Sequence, residues 1–190
     1  MKLRKAVVLL IAIFFVSCAS PVAYKVSKDF EAISPVTVAL IIIEENEDSR
    51  EAIPFTLDVM EAALRGKGYN VVSRNRTFEA GAIGEYNADA VVFATITKWR
   101  KFNMPLYSSF KVAMEFEMVS SEGQRIWRAS FDQKASQISR DKEVRRVLTT
   151  EIYEPLISRI VSNAFYSLPV ATGAVGVTEG DEKRYFDWLP

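Results

Sequence analysis

The chain contains no histidine and only one cysteine. The first absence removes the commonest general base, the commonest metal ligand and every Ser-His or Cys-His nucleophile pair. The second removes any internal disulfide and any cysteine-rich metal site. Enzymatic chemistry would have to run on carboxylates, Lys or Tyr. No Gly-x-Ser-x-Gly and no Gly-rich phosphate loop occurs. The expectation is a protein that is not an enzyme, with no catalytic residues, no cofactor and no metal. Charge of one sign is also lacking, since 24 basic residues meet 24 acidic ones. Lys2, Arg4 and Lys5 open the chain, and the remainder carries a small acidic excess. Nucleic acid needs a basic patch, so no nucleic-acid partner is expected. Docking onto anionic lipid by charge alone is disfavoured too.

What is present begins at the start of the chain. A basic opening is followed by an unbroken apolar run from Ala6 to Val16 and then by small residues. A membrane span needs roughly 20 apolar residues, so the run is too short for one and suits an export signal. Phe15-Val16-Ser17-Cys18 resembles the bacterial lipoprotein box, in which a small residue precedes an essential Cys, although that box prefers Leu where Phe15 stands. The resemblance implies that residues 1–17 are removed and that Cys18 is acylated on sulfur and then on nitrogen. Stable anchoring needs more than one chain, which a multiply acylated Cys18 supplies. Ala19 in place of Asp implies, by the same resemblance, sorting to the outer membrane on its periplasmic side. The ordinary alternative is a secretory signal cut after Ala19 or Ser20, with an incidental cysteine.

At 190 residues, 49% of them hydrophobic, the chain fits one domain with appendages. Residues 18–29 read as a lipidated tether. Val36 to Ile43 is an apolar, β-branched run that predicts a strand buried on both faces. Ile53, Leu57, Met60 and Leu64 lie at helical spacing, with Pro54 in the first turn, Ser49 or Asp48 as cap, and Gly66 and Gly68 at the end. Tyr69 to Ser73 then completes a β-α-β unit, and Thr77 to Tyr86 reads as a weak helix or loop. Ala90 to Trp99 is another buried strand. Phe110 to Met118 and Trp127 to Asp132 alternate apolar with polar, which predicts a hairpin with one wet face. Lys142 to Leu168 repeats apolar residues every fourth position, with Pro155 set to kink or split the helix. The expected fold is α/β or α+β: a mixed sheet with an initial β-α-β unit, an antiparallel hairpin and a long C-terminal helix packed on it. The domain spans residues 30–168, and residues 169–190 form a flexible tail.

Asp89 to Trp99, ending Ile-Thr-Lys-Trp, and a hairpin carrying Gly123 and Trp127 resemble a family of outer-membrane lipoproteins of Gram-negative bacteria with no settled function. The resemblance implies a fold related to the lipoprotein activators of penicillin-binding proteins, to the periplasmic domain of the curli secretion lipoprotein and to the amino-terminal domain of the Tol-system translocation protein. It supplies no catalytic residues. Lys111, Glu115, Glu117, Arg128 and Asp132 on the outward face of the hairpin disfavour a lipid-facing pore strand.

Three groups merit attention as sites. Glu44, Glu45, Glu47 and Asp48 follow the first long strand, but match no calcium loop and read as a solvated acidic loop. Trp99, Arg100, Phe102 and Tyr107 fall on a segment expected to link two strands, a mixed basic and aromatic contact surface for an envelope protein partner. The ordinary reading is that Trp99 and Tyr107 cover the end of the core. Tyr185, Phe186 and Trp188 near the chain end either dock onto their own sheet or form a tag for a partner or another subunit, which leaves a homo-oligomer open. The leading expectation is a non-catalytic accessory or scaffold lipoprotein of an envelope machine, serving peptidoglycan synthesis or transport. A carrier of a small molecule or lipid is the alternative, and a carboxylate-dependent hydrolase a third.

Overall fold

A computed structural model of the chain describes residues 23–44, 47–75, 86–138 and 153–171. The signal, Cys18 and the aromatic residues Tyr185, Phe186 and Trp188 lie outside the described residues, as does most of the segments Thr77 to Tyr86 and Lys142 to Ile152. The described elements run β1 (Ala23–Val26), α1 (Phe30–Ile33), β2 (Thr37–Glu44), a 3₁₀ turn (Glu47–Ala52), α2 (Ile53–Gly66), β3 (Asn70–Asn75), β4 (Ala90–Asn103), β5 (Tyr107–Ser120), β6 (Arg125–Ile138) and α3 (Tyr153–Tyr166). The six strands form one mixed sheet in the order β1-β6-β5-β4-β2-β3. β2 pairs in parallel with both β3 and β4, and the remaining pairs are antiparallel. The expected mixed sheet, β-α-β unit and hairpin are all present.

β2 owes its central place to composition. A strand flanked on both sides and covered on both faces must be apolar at every position. Val38, Ala39, Leu40, Ile41 and Ile42 are all fully buried. The even-numbered residues face the main core with α2 and α3, whose stripes are Ile53, Leu57, Met60 and Leu64, and Leu156, Ile160, Val161 and Ala164. Ala39 and Ile41 join Val91 in a small second core on the opposite face, against which Tyr86, Ala88 and Phe93 pack.

The ends of α2 depart in part from expectation. Neither Ser49 nor Asp48 caps the helix, because the 3₁₀ turn intervenes and Ala52 stands at the N-cap. Pro54 sits in the first turn, where a missing N–H costs nothing. Gly68 takes a positive φ of 83°, and the N–H groups of Gly68 and Tyr69 bond back to the carbonyls of Arg65 and Leu64. That is a Schellman stop, which a side chain at Gly68 would strain. The Tyr69 ring is then buried, and its hydroxyl donates to the Pro169 carbonyl at 2.8 Å. Burial pushes that phenol well above its ordinary pKa. Ala171 is buried and its N–H bonds to the Lys67 carbonyl at 2.9 Å, so packing continues past Leu168.

Two boundaries move at the other side of the sheet. Ala23–Val26, read as tether, is an edge strand antiparallel to β6. The segment expected to link β4 and β5 is mostly strand: β4 runs on to Asn103 and β5 starts at Tyr107. A bulge at Thr97 makes this possible. Ile96 pairs with Met114 and Lys98 with Ala113, leaving Thr97 as the extra residue. Strict alternation from Ile96 would point Trp99 outward; the inserted residue returns it to the core face.

Asp89 ties β2 to β4. Its carboxylate accepts from the N–H groups of Val36 at 2.9 Å and Thr37 at 2.7 Å, and its own N–H donates to the Thr37 hydroxyl at 3.0 Å. The Thr37 N–H, helped by the Val36 N–H and the Thr37 hydroxyl, holds the carboxyl below its ordinary pKa. The group's stabilisation is therefore present above the unfolded value near 4 and is lost as pH falls through the lower folded value. Asp89→Ala is expected to cost about 1–2 kcal/mol at neutral pH. In urea titrations the gap from the parent chain should close on acidification below about pH 4. A gap that stays constant across that range would contradict this account.

Candidate functional site

The far ends of β4, β5 and β6 bring three of the sequence-predicted residues together and withdraw a fourth. Trp99 is 4% exposed and is a core residue, not a contact residue. Its ring meets Phe110 edge-on at 4.8 Å and Tyr153 at 5.8 Å, with the Lys101 ammonium 5.8 Å from its centre. Lys101 also pairs with Glu51 at 3.4 Å. Among the described residues, the Trp99 indole N–H and the Ser108 hydroxyl are buried without a hydrogen-bond partner. Arg100 and Phe102 lie on the opposite, outer face, since residues two apart in a strand share a face.

Strand register assembles that outer face row by row. Arg100 stands opposite Lys111, and Lys111 opposite Lys134, which makes a rung of three cations across three strands. Phe102, Ser109 and Ser136 form the next rung, and Tyr107 pairs with Ile138 beyond it. The Phe102 and Tyr107 rings are 6.1 Å apart. The Lys134 ammonium lies 5.9 Å from the Tyr107 ring centre. Its hydrogen bond, with those of Ser109 and Ser136, holds the Tyr107 phenol below its ordinary range.

The turn that closes β4 onto β5 is apolar. Met104 and Tyr107 exchange backbone hydrogen bonds around Pro105 and Leu106. Neither central residue has a positive φ, in keeping with the fixed proline ring at the first position. Phe102, Met104, Leu106 and Ile138 are each about half exposed or more, Ile138 reaching 81%. The turn at the opposite end of β5 is polar: Ser121, Glu122 and a Gly123 whose φ of 83° suits only glycine.

Away from this tip the outer face of β5 and β6 is a ladder of ion pairs. Glu115 holds Arg128 at 2.8 Å, Glu117 holds Arg125 at 3.1 Å, and Lys111 pairs with Asp132. Glu115 also raises the Arg128 pKa. Exposed pairs contribute little each, about 0–1 kcal/mol. They keep the face wet, as the alternation predicted.

The acidic loop yields less. Glu47 and Asp48 open the 3₁₀ turn, Glu45 lies outside the described residues, and among the described residues no group of three carboxylates is placed to hold a metal ion. The spacing Ser-x-x-Lys, a pattern of some serine nucleophiles, occurs at Ser108–Lys111 and Ser139–Lys142. The first lies in β5, where residues three apart point to opposite faces, so this serine and lysine cannot form a pair. The second lies outside the described residues.

Sequence reasoning misses Lys111, Lys134 and Ile138 as site residues. Each is an ordinary wet-face residue in its own strand and gains meaning only from cross-strand register. No helix among the described residues is long and apolar enough to cross a membrane.

The sequence matches no family model and no curated protein. Solved structures with a similar fold include the PelC dodecamer from Paraburkholderia phytofirmans, at 20% identity over 75% of this chain and 95% of that one, with a TM-score of 0.48. Lipoprotein GNA1162 from Neisseria meningitidis aligns at 16% identity over 62% of this chain and 95% of that one, TM-score 0.42. The hypothetical protein CT253 from Chlamydia trachomatis aligns at 14% identity over 69% and 91%, TM-score 0.37.

Proposed function

We propose that this chain is a non-catalytic lipoprotein of the bacterial envelope, fastened through Cys18 to the periplasmic side of the outer membrane and acting by contact as an accessory or scaffold of an envelope machine. The observation that carries the reading is the position of the lone cysteine. It stands two positions after the end of an apolar run too short to span a bilayer, in a lipoprotein-like box, and only five residues before β1. The body is thus tied close to its anchor rather than held on a long leash.

A chain without histidine also suits action by contact, because it lacks the usual proton-transfer group. Cys18→Ser in the full chain is the test. Cells should either release the processed body as soluble periplasmic protein or accumulate an unprocessed precursor, and intact mass of the parent should show the added acyl chains. Normal membrane retention of a correctly trimmed Cys18→Ser chain would overturn the anchor.

A further inference from the structure

We propose that the β4–β5 hairpin tip is a second membrane contact: its apolar end enters the leaflet that holds the anchor, and the cation rung above it meets lipid phosphates. The proposal rests on the lipid-anchor reading for its geometry.

The first argument is the chemistry of the tip. Water-exposed hairpin turns are ordinarily built from Gly, Asn, Asp or Ser, and the β5–β6 turn obeys that rule. The β4–β5 turn instead presents Met104, Pro105 and Leu106, with Phe102 and Ile138 exposed beside it. Such a patch marks a contact with something apolar.

The second argument is charge. Like charges directly opposite in a sheet repel. Arg100, Lys111 and Lys134 nevertheless stand in one row, on a chain with no net basic excess; Asp132 pairs with Lys111, which leaves Arg100 and Lys134 without an ion pair among the described residues. An anionic surface facing the row relieves that repulsion. The row also lies at a suitable height. Four residues separate Arg100 from Met104, about 13 Å at strand rise. An amphipathic element resting in an interface buries its apolar part by about 5–10 Å, with cations at the headgroups.

The third argument is the direction of the chain. β1 runs antiparallel to β6, with Ala23 opposite Ser130 and Val26 opposite Trp127. Followed back toward its start, the chain therefore points to the tip end of β6. Cys18 is five residues before Ala23, a reach of at most about 17 Å. Ser130 to Lys134 covers about 14 Å along β6. The anchor can thus lie level with the cation rung, on the side of the molecule where the apolar turn projects. A leaflet reached by acyl chains on Cys18 is within reach of the tip.

The test uses the acylated full chain in vesicles of phosphatidylethanolamine and phosphatidylglycerol. Acylation leaves no free thiol, so Leu106→Cys adds a single site for an environment-sensitive dye. The dye at residue 106 should shift to the blue and be quenched several-fold by spin-labelled lipid. The same dye on Glu122→Cys, at the opposite turn, should report water. Replacing phosphatidylglycerol with phosphatidylcholine should lower the quenching at residue 106. A dye at residue 106 that behaves as at residue 122 would end the proposal. A blue shift without lipid quenching would end it too, placing a second copy or another protein on the tip. Intact mass reads the anchor separately. If Cys18 proves bare, the doubly substituted Cys18→Ser, Leu106→Cys chain is mixed with the same vesicles. Quenching there keeps the tip contact without the anchor, and its absence refutes the contact.

Discussion

Trp127→Ala is expected to lower stability by about 3–5 kcal/mol, the range for deleting a large aromatic side chain from a packed core. For a body of this size that is a fall of about 10 °C or more in Tm. Trp127 is 1% exposed and sits where α3 crosses β6 and β5. Its ring packs against Phe165 at 5.5 Å and Phe116 at 6.4 Å, and those two rings meet edge-on at 5.6 Å. The indole N–H donates to the Ser167 hydroxyl at 3.2 Å, and that hydroxyl donates to the Ala164 carbonyl at 2.7 Å. One side chain thus joins the hairpin to the C-terminal end of α3. Trp127→Phe keeps most of the stacking, loses the hydrogen bond and should cost less than half as much. Thermal and urea unfolding of both variants measures the difference. An alanine variant within about 1 kcal/mol of the parent would show that α3 is not held to the sheet at this point.

The parts of the fold legible from sequence are those where one physical demand dominates. β2 announces itself because burial on both faces tolerates no polar residue between Val38 and Ile42. The hairpin announces itself because Val112, Met114, Phe116 and Met118 face a core while Lys111, Glu115 and Glu117 face water. Periodicity fails toward the end of β4. Lys98, Arg100, Lys101 and Asn103 are polar on both faces, so β4 reads as a loop there, and Thr97 breaks the period besides. β1 is only four residues long and is held by edge pairing rather than by a pattern of its own.

The candidate site is legible in fragments. Arg100, Phe102 and Tyr107 stand out by residue type alone. Trp99 groups with them as their neighbour in sequence; strand alternation sets it on the face opposite Arg100 and Phe102, and the Thr97 bulge makes that face the core side. The cation rung cannot be read at all without register, since its members are 11 and then 23 positions apart, from Arg100 to Lys111 and from Lys111 to Lys134. Cys18 is the converse case: the expectation for it rests on a local signal alone, and the residue lies outside the described ones.

Ile41→Lys is expected to be as damaging as any core substitution, although residue 41 is on the same face of the sheet as the ion-pair ladder. Ile41 is fully buried, with Ala39 and Val91 beside it and Tyr86, Ala88 and Phe93 packed against them. A lysine there would have to bury an ammonium without a partner or strip the cover from that face. Either route should cost more than about 4 kcal/mol and leave little soluble protein. Ile41→Val, which removes one methylene, should cost only about 1 kcal/mol. Glu115→Lys at the other side of the same face should also stay within about 1 kcal/mol, because its ion pair with Arg128 is exposed. Expression level and urea midpoints of the three variants give the comparison. If the lysine at residue 41 were tolerated as well as the one at residue 115, the second small core would not contribute to stability. The continuous apolar run from Val38 to Ile42 would then lose its physical explanation.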